Sequence, residues 1–302
     1  MLRTKTSMKK LKGKYKMLSL TIFITLLAVV FLFPLVLTIS NSFMSEGEIA
    51  ENYKPLTNVS DQRESPDRER SFVNLKLIPD EVVVKQYYVV LLQKTKFLFM
   101  FWNSMALVLP IVFGQIIVSS MAAYAFAKIN FRWREQLFFI YIITMLMPFQ
   151  VTLVPNYIVA DKLGILDNYL SIIFPGIFGT FGVFLLRQFM VYIPDGYAEA
   201  ARVDGAGHFR IFLKIIMPLS KSGLAALAIL VFMDNWNMVE QPIVFLHDRA
   251  THPLSVFLTS INHDETGIAF AASVLYMMPM LLIFLYGENY LIEGIQLSGI
   301  KG

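Results

Sequence analysis

Residues 97–127 read FLFMFWNSMALVLPIVFGQIIVSSMAAYAFA and contain no charged side chain. An α-helix needs roughly 20 mostly apolar residues to cross a bilayer, because lipid offers no hydrogen-bonding partner to an unpaired backbone group. This stretch is longer than a single crossing requires. It therefore predicts a membrane-spanning helix.

The composition of the whole chain agrees with a membrane protein. Of its 302 residues, 56% are hydrophobic and 16% are charged, whereas a soluble domain carries about 25% charged residues. This argues against a soluble enzyme, a disordered protein and a nucleic-acid binder. The net charge is +4, but the basic residues cluster beside apolar stretches, which indicates orientation in a bilayer. Cysteine is absent, which excludes disulfides, thiolate metal sites and a cysteine nucleophile.

Five further stretches are long and apolar enough to cross a membrane. They are residues 17–39, 136–160, 169–191, 222–246 and 266–286. The sequence therefore predicts an all-α, polytopic fold with six transmembrane helices, and prolines predict kinks in the third, fourth and sixth of them. The first stretch exceeds the 7–15 residues of a signal-peptide core and no A-x-A-like cleavage site follows, so we interpret it as a retained span.

The distribution of Lys and Arg predicts the orientation of these spans. Residues 1–16 carry seven basic side chains, and the segments after the second and fourth spans are also basic. The loops on the opposite side carry few. Because basic loops stay inside, both termini are predicted to face the cytoplasm. Residues 40–96 then form a long extracytoplasmic loop, in which 46–70 are expected to be irregular and 81–93 to form a short helix on the membrane.

The segment between the fourth and fifth spans, residues 194–219, has its own helical pattern. Pro194-Asp195 is a helix-start signal, the following alanines favour a helix, and Gly205 and Gly207 interrupt it. A second helix is predicted for residues 208–217, ending before Pro218. Its predicted apolar face consists of Phe209, Phe212, Leu213 and Ile216. The sequence thus predicts a helix–glycine–helix hairpin on the cytoplasmic membrane surface, where small residues permit close approach of another protein.

The order of residues in this hairpin resembles the EAA loop of ABC importer permeases, a family of binding-protein-dependent transport inner-membrane components. The matching positions are Glu199, Ala200, Ala201, Asp204, Gly205 and Ala206, followed by Phe212, Ile215, Pro218 and Leu219. Further stretches resemble the carbohydrate (maltose-type) permeases. They are Asn103-Ser104, AAYAFA at 122–127, Met147-Pro148, Leu163-Gly164 and SGIKG at 298–302. The resemblance makes residues 17–302 a type-1 transmembrane domain.

The resemblance implies a coupling role for the hairpin. In such importers it sits in a cleft of a cytoplasmic ATPase subunit, whose ATP-driven closure switches the pore. The residues implied to make this contact are Glu199, Ala200, Ala201, Asp204, Gly205, Ala206 and Pro218. The alternative is a hairpin that merely joins two spans, with Glu199 paired to Arg202 three residues later.

A polar run in the fifth span offers candidates for a solute path. Asp234 lies near the middle of residues 222–246, where a charge costs about 2.5–3.5 kcal/mol and should therefore face the interior of the helix bundle. Asn235, Trp236 and Asn237 could supply hydrogen bonds and a stacking face for a sugar. The alternative is that these residues only join helices, or that the carboxylate reaches the membrane surface.

The absence of other motifs limits what the chain does alone. It has no G-x-x-x-x-G-K-[ST], H-E-x-x-H or G-x-S-x-G pattern, so it is expected to be neither an ATPase nor another enzyme and to hold no cofactor or metal. His247, His252 and His263 share one outer loop, but their irregular spacing favours a solvated loop. The resemblance implies a second homologous permease, two cytoplasmic ATPase subunits and an extracytoplasmic solute-binding protein as partners in the bacterial inner membrane.

The solute implied by the resemblance is a carbohydrate or oligosaccharide. A first alternative is an importer for another solute, such as glycerol phosphate, a peptide or a polyamine. The near absence of intramembrane Lys and Arg favours a neutral solute over a phosphate. A membrane-embedded enzyme and a membrane scaffold with a docking hairpin are the remaining alternatives, and neither explains the E-A-A-x-x-D-G-A order.

Overall fold

A computed structural model describes residues 2–57, 73–259 and 265–299, and no strand occurs among them. The elements are α-helices, joined by π-helical turns at Val89–Gln93 and Phe212–Ile216 and a 3-10 turn at Arg249–Thr251. The α-helices are α1 (Leu2–Asn41), α2 (Glu46–Thr57), α3 (Lys85–Tyr88), α4 (Thr95–Lys128), α5 (Arg134–Met145), α6 (Phe149–Lys162), α7 (Leu170–Ile177), α8 (Thr180–Val191), α9 (Gly196–Val203), α10 (His208–Ile211), α11 (Met217–Leu219), α12 (Lys221–Trp236), α13 (Glu240–Phe245), α14 (Leu254–Thr259) and α15 (Thr266–Gly299).

Four helical segments are long and apolar enough to cross a membrane unaided. They are Lys16–Asn41, Thr95–Lys128, Leu170–Val191 and Thr266–Ile292. The number rises to six if each of two bent helix pairs counts as one span. The predicted all-helical, polytopic fold is confirmed, and the count of six stays a prediction.

The third predicted span is not one kinked helix. Instead, α5 and α6 meet at 99° across a break of three residues. They have 12 and 14 residues, too few for either to cross alone. Pro148 explains the break, because it disfavours helical geometry at Met147 before it and itself lies in an extended conformation with ψ 138°.

The fifth predicted span, residues 222–246, also differs from the structure. Here α12 ends at Trp236, and α13 begins separately at Glu240. A continuous helix through this region would place Pro242 in its interior, where the proline ring lacks an N–H and clashes with the preceding turn. The second bent pair consists of His208–Leu219 and α12, at 76°.

The chain divides into two compact units, and the first combines residues 1–93 with 261–274. Within it, residues 46–57 are helical rather than irregular, because Ser45 Oγ accepts the Glu48 N–H at the start of α2 and Ile49 is buried. Residues 58–70 of the expected irregular segment lie outside the described residues. The helix expected at 81–93 is shorter and begins only at Lys85.

The second unit combines residues 94–260 with 275–302 and is organised around α4. Helix α4 packs most extensively on α8, and then on α7 and α12. Glycines on α7 and at the start of α8 permit this approach: a Cβ added at Gly179 would lie 2.5 Å from Gln115 Nε2, and one at Gly176 would lie 2.9 Å from Ile111 Cγ2. Small residues serve this purpose in membrane helix packing.

One end of α5 is joined to α8 by a charged contact over an aromatic cluster. The Arg187 guanidinium lies 3.9 Å from the centre of the Phe138 ring and 3.2 Å from the Glu135 carboxylate. Phe138 packs with Phe126 and Val183 in the core beneath. The first half of the broken third span therefore packs with α4 and α8.

Candidate functional site

The hairpin segment begins with α9, which ends in a left-handed glycine. Gly205 has φ +79°, its N–H donates to the Arg202 carbonyl at 3.0 Å, and the Ala206 N–H donates to the Ala201 carbonyl at 2.9 Å. These two bonds form a Schellman motif, which ends a helix and satisfies its last carbonyls. After this turn the chain continues into α10, the π-helical turn Phe212–Ile216 and α11, and the helical hairpin stays a prediction.

Most of the residues singled out in this segment face outward. Glu199, Ala200, Asp204, Gly205 and Pro218 are exposed, whereas Ala201 and Ala206 are half-buried. Large apolar side chains accompany them at the surface, namely Tyr197, Val203 and Phe209, with Val203 88% exposed. A concentration of exposed apolar groups on a helical hairpin is typical of a protein-binding surface.

The predicted apolar face of the second helix is only half right. Phe212 and Ile216 are buried as expected, but Phe209 and Leu213 are exposed and Ile211 is buried instead. The π-helical turn Phe212–Ile216 changes the helical period, so the 3.6-residue spacing fails at Leu213. Phe209 and Ile211 lie before this turn, in α10, and the turn does not explain them.

The alternative role for Glu199, a local pair with Arg202, has no contact to support it. In the described parts of the chain, neither an ion pair nor a hydrogen bond joins the Glu199 carboxylate to another side chain. The carboxylate is therefore open to a partner outside this subunit.

Both arms of the hairpin are held by the last turns of α4. The Lys128 ammonium donates to the Ile193 carbonyl at 2.5 Å and to Asp195 Oδ1 at 2.6 Å, which fixes the start of the first arm. One turn earlier, the Tyr124 hydroxyl lies 3.3 Å from His208 Nδ1 and the Tyr124 ring lies 5.3 Å from the ring of Phe212, on the second arm.

The electrostatics of this contact favour its charged form. The Lys128 ammonium, through its hydrogen bond and its charge, holds the pKa of Asp195 below the usual value for a carboxyl. The Lys128 side chain is 4% exposed and that of Asp195 is 73% exposed. Sequence reasoning used Lys128 only for orientation, because nothing local signals a partner 67 residues away.

A cavity of about 780 Å³ with a mixed polar and apolar lining lies elsewhere in the second unit, within the size range of small-molecule sites. Amide, hydroxyl and carboxylate side chains supply its polar surface. They are Gln115, Thr144, Thr152, Asn156, Thr180, Asp234, Asn235, Asn237 and Gln241. The described residues that line it include no Lys, Arg or His.

The structure brings three of the four predicted path residues to this cavity. Asp234, Asn235 and Asn237 line it, together with side chains from other helices that sequence reasoning missed, such as Gln115 and Asn156. No local pattern could have found those, because they meet only when the helices pack.

Trp236 lies in the core instead. Its side chain is fully buried and stacks with Phe232 and with Tyr276 at ring-centre distances of 5.3 and 5.7 Å. Its indole N–H donates to the Tyr276 carbonyl at 3.2 Å, and the Tyr276 hydroxyl donates to the Asn237 amide oxygen at 2.8 Å. Trp236 therefore supports the cavity wall from behind and offers no stacking face to a solute.

The outer loop expected to be solvated contains a buried histidine. His252 is buried, with Nε2 2.8 Å from the Leu246 carbonyl oxygen, whereas His247 is exposed and His263 lies outside the described residues. Within the described ranges, no three His, Asp or Glu side chains are grouped so as to hold a metal ion. The expected absence of metal and cofactor stays a prediction.

Asp167 fastens the loop after α13 to the segment between α6 and α7. Its Oδ1 accepts the N–H groups of His247 and Asp248 at 2.8 and 3.2 Å, and its own N–H donates to the Phe245 carbonyl at 2.9 Å. The hydrogen bond from the Asp248 N–H, followed by that from His247, lowers the pKa of Asp167. The contact holds the end of α13, whose Gln241 lines the cavity.

Comparison with known proteins assigns residues 115–292 to the family described as "Binding-protein-dependent transport system inner membrane component". The chain is 29% identical to the arabinooligosaccharides transport system permease protein AraQ of Halalkalibacterium halodurans, covering 80% of this chain and 87% of the relative. It is 27% identical to AraQ of Bacillus subtilis, covering 94% and 96%. It is 32% identical to the sn-glycerol-3-phosphate transport system permease protein UgpE of Yersinia pestis, covering 67% and 73%.

The fold also resembles a solved structure. A chain of a bacterial ABC transporter involved in the import of the acidic polysaccharide alginate superposes with a TM-score of 0.74, covering 90% of this chain and 95% of that one. The two sequences are 23% identical, so the likeness concerns the fold.

Proposed function

The chain belongs to the family of binding-protein-dependent transport system inner membrane components, and on that basis we propose that it is a permease subunit of a bacterial ABC importer for a carbohydrate or oligosaccharide. It is a multi-pass inner-membrane protein that forms half of the translocation path. The observation that carries the proposal is the similarity to permeases of arabinooligosaccharide transport systems along 80% and 94% of the chain.

The proposed coupling surface is the hairpin of residues 194–219. It docks on a cytoplasmic ATPase subunit through Glu199, Ala200, Ala201, Asp204, Gly205, Ala206 and Pro218. The exposure of most of these residues, the neighbouring exposed Val203 and the open Glu199 carboxylate support this role. ATP hydrolysis belongs to the partner subunits.

Movement of the hairpin reaches the cavity through α4. Lys128 and Tyr124 hold the two arms to the end of this helix, and α4 packs against α7, α8 and α12, whose residues line the cavity. A closely packed interior transmits displacement rather than absorbing it. Closure of the ATPases on the hairpin thereby changes the opening of the path.

The proposed assembly contains a second homologous permease, two ATPase subunits and an extracytoplasmic solute-binding protein. Both termini, including the basic residues 1–16, face the cytoplasm. Residues 17–302 form the type-1 transmembrane domain, with 40–96 as the extracytoplasmic loop. The family's description, which names transport that depends on a binding protein, supports the solute-binding protein as a partner.

Import of glycerol phosphate is the second candidate, because UgpE relatives are 32% identical to this chain. The cavity favours the carbohydrate. A phosphate group is recognised by Arg, Lys or clustered backbone N–H groups, whereas the described lining offers amides, hydroxyls and one carboxylate. Such groups match the hydroxyls of a sugar.

The experiment that tests the proposal is affinity purification of the tagged chain from native membranes, followed by mass spectrometry. We expect an ATPase subunit and a second permease to co-purify. Recovery of the chain alone, under conditions in which other ABC complexes of the same membranes stay intact, would contradict the assembly. If a protein without an ATPase domain is bound to the hairpin, the alternative of a membrane scaffold would be favoured.

A further inference from the structure

The cavity in the second unit has a single ionisable group among the described residues that line it. This group is the carboxylate of Asp234, on the exposed side of α12. The polar groups around it are neutral amides and hydroxyls, and the remaining lining is apolar or backbone. The charge of this cavity wall therefore depends on one side chain.

The Asp234 carboxylate has no partner within the described residues. The two neighbouring amides are directed elsewhere, because Asn235 Nδ2 donates to the Val231 carbonyl and Asn237 Nδ2 donates to the Met233 carbonyl, each at 2.8 Å. The Asn237 amide oxygen accepts from Tyr276. The negative charge is thus left facing the cavity without local neutralisation.

An unpaired carboxylate in such a place discriminates by charge. The field of one charge acts on ions that pass within about 8–10 Å, the distance over which salt screens it. An ionised carboxylate only accepts hydrogen bonds, which suits the hydroxyl groups of a neutral solute. The same charge placed against an anion is repulsive, and repulsive elements are an effective source of specificity.

We propose that Asp234 sets the charge selectivity of the solute path, admitting neutral polyhydroxylated solutes and repelling anionic ones such as uronates and sugar phosphates. This inference rests on the proposed function, since it assumes that solute passes the cavity. It assigns Asp234 a role in specificity rather than in helix packing.

The test measures how charged reagents reach the cavity wall. The chain contains no cysteine, so Asn237→Cys introduces the only thiol of this subunit, three residues from Asp234. In native membranes holding the whole complex, the thiol reacts with cationic trimethylammonium-ethyl methanethiosulfonate or with its anionic sulfonatoethyl counterpart. The cation-to-anion rate ratio, corrected by that of a free thiol, reports the local field.

We expect Asp234→Asn to lower this ratio about tenfold in the Asn237→Cys background, because removing the negative charge slows the cation and speeds the anion. Asp234→Glu keeps the charge and should keep the ratio. Glu240→Gln is the matched control, because this exposed carboxylate is also three residues from position 237 but lies outside the cavity lining. Its removal should change the ratio less than about twofold, since salt screens a charge that does not share the cavity.

An unchanged ratio in Asp234→Asn would overturn the proposal. An equal fall in Glu240→Gln would do the same, since it would assign the field to the general surface charge. If neither reagent modifies the thiol at position 237, this wall of the cavity does not line an aqueous path, which would also overturn the proposal. Each result is independent of ATPase co-purification, so failure of the charge filter is distinguishable from failure of the importer assignment.

Discussion

Gly205 is the residue on which the shape of the hairpin depends. Its φ of +79° lies in the left-handed region, which costs an L-residue other than glycine about 1–2 kcal/mol. A Cβ there would meet no atom within 4 Å, so the penalty is conformational rather than steric. The turn therefore depends on glycine for backbone freedom.

We expect Gly205→Ala to strain the turn and to reduce the ATPase recovered per permease several-fold. Gly196→Ala is the matched control in the same hairpin, since Gly196 does not have a positive φ and its added Cβ would likewise meet nothing. Quantitative mass spectrometry of purified complexes measures the ratio. If both variants recovered the same amount of ATPase, the turn at Gly205 would not be part of the coupling surface.

Trp236 is a packing residue, and its substitution should therefore affect stability. Truncating a large buried aromatic costs about 3–5 kcal/mol, and the indole of Trp236 also donates a buried hydrogen bond. We expect Trp236→Ala to lower the melting temperature of the purified protein strongly. Trp102→Ala removes a 67% exposed indole and should leave the melting temperature nearly unchanged. The loss of the monodisperse chromatographic peak on heating measures the melting temperature of both variants.

At the scale of elements, Lys128 joins the start of the first arm of the hairpin to the end of α4. Lys128→Met keeps the apolar stem but removes the ammonium and its two hydrogen bonds. Asp195→Asn removes the negative charge but leaves an amide oxygen that can still accept a hydrogen bond from Lys128. We expect faster amide hydrogen exchange over residues 193–206 in Lys128→Met than in Asp195→Asn. Slower exchange in Lys128→Met than in Asp195→Asn would contradict the role of Lys128 in holding the first arm.

The pH dependence of this contact follows from the lowered pKa of Asp195. A carboxyl whose folded-state pKa is depressed stabilises the fold above its unfolded pKa of about 3.9, and this contribution is lost as the pH falls through the folded value. Between pH 5 and 8 the contact is therefore constant. Hydrogen exchange at residues 193–206, corrected for intrinsic rates, should show no transition from this pair in that range and should increase only below about pH 4.

Two helix breaks decide how the polar residues meet. The break at Pro148 separates α5, packed on α4 and α8, from α6, packed on α7 and α13. The break at Phe178 and Gly179, between α7 and α8, lets the chain pass closely over Gln115. Residues from both sides of these breaks line the cavity. Unbroken helices would not bring them together in this way, and hydropathy alone did not predict that the third span divides.

At the scale of the whole molecule, the distribution of basic residues predicts a sidedness that labelling can test. Val203→Cys and Ala250→Cys each place a single thiol on an exposed position, one in the hairpin and one in the loop after α13. In intact cells, a membrane-impermeant maleimide should label Ala250→Cys and not Val203→Cys. In inverted membrane vesicles the pattern should reverse. Labelling of both thiols from one side would refute the predicted orientation.

The sequence by itself determined the long spanning helices, the glycine turn after α9 and the family, whereas the helical hairpin stays a prediction. These features are local, since apolar length, helix propensity and the need for glycine at a positive φ are properties of consecutive residues. The same reasoning failed where the local period changed, as at Leu213, which is exposed within the π-helical turn.

Only the tertiary structure decided which polar residues share a cavity, that Trp236 faces the core, and that Lys128 and Asp167 act as anchors. Lys128 and Asp195 are 67 residues apart, and Asp167 and His247 are 80 apart. Contacts over such separations depend on where helices break and on which helix faces pack together. The properties of a short stretch of sequence therefore do not predict them. The role proposed for the unpaired charge of Asp234 also depends on the tertiary structure, because charge selectivity depends on the groups that surround the carboxylate.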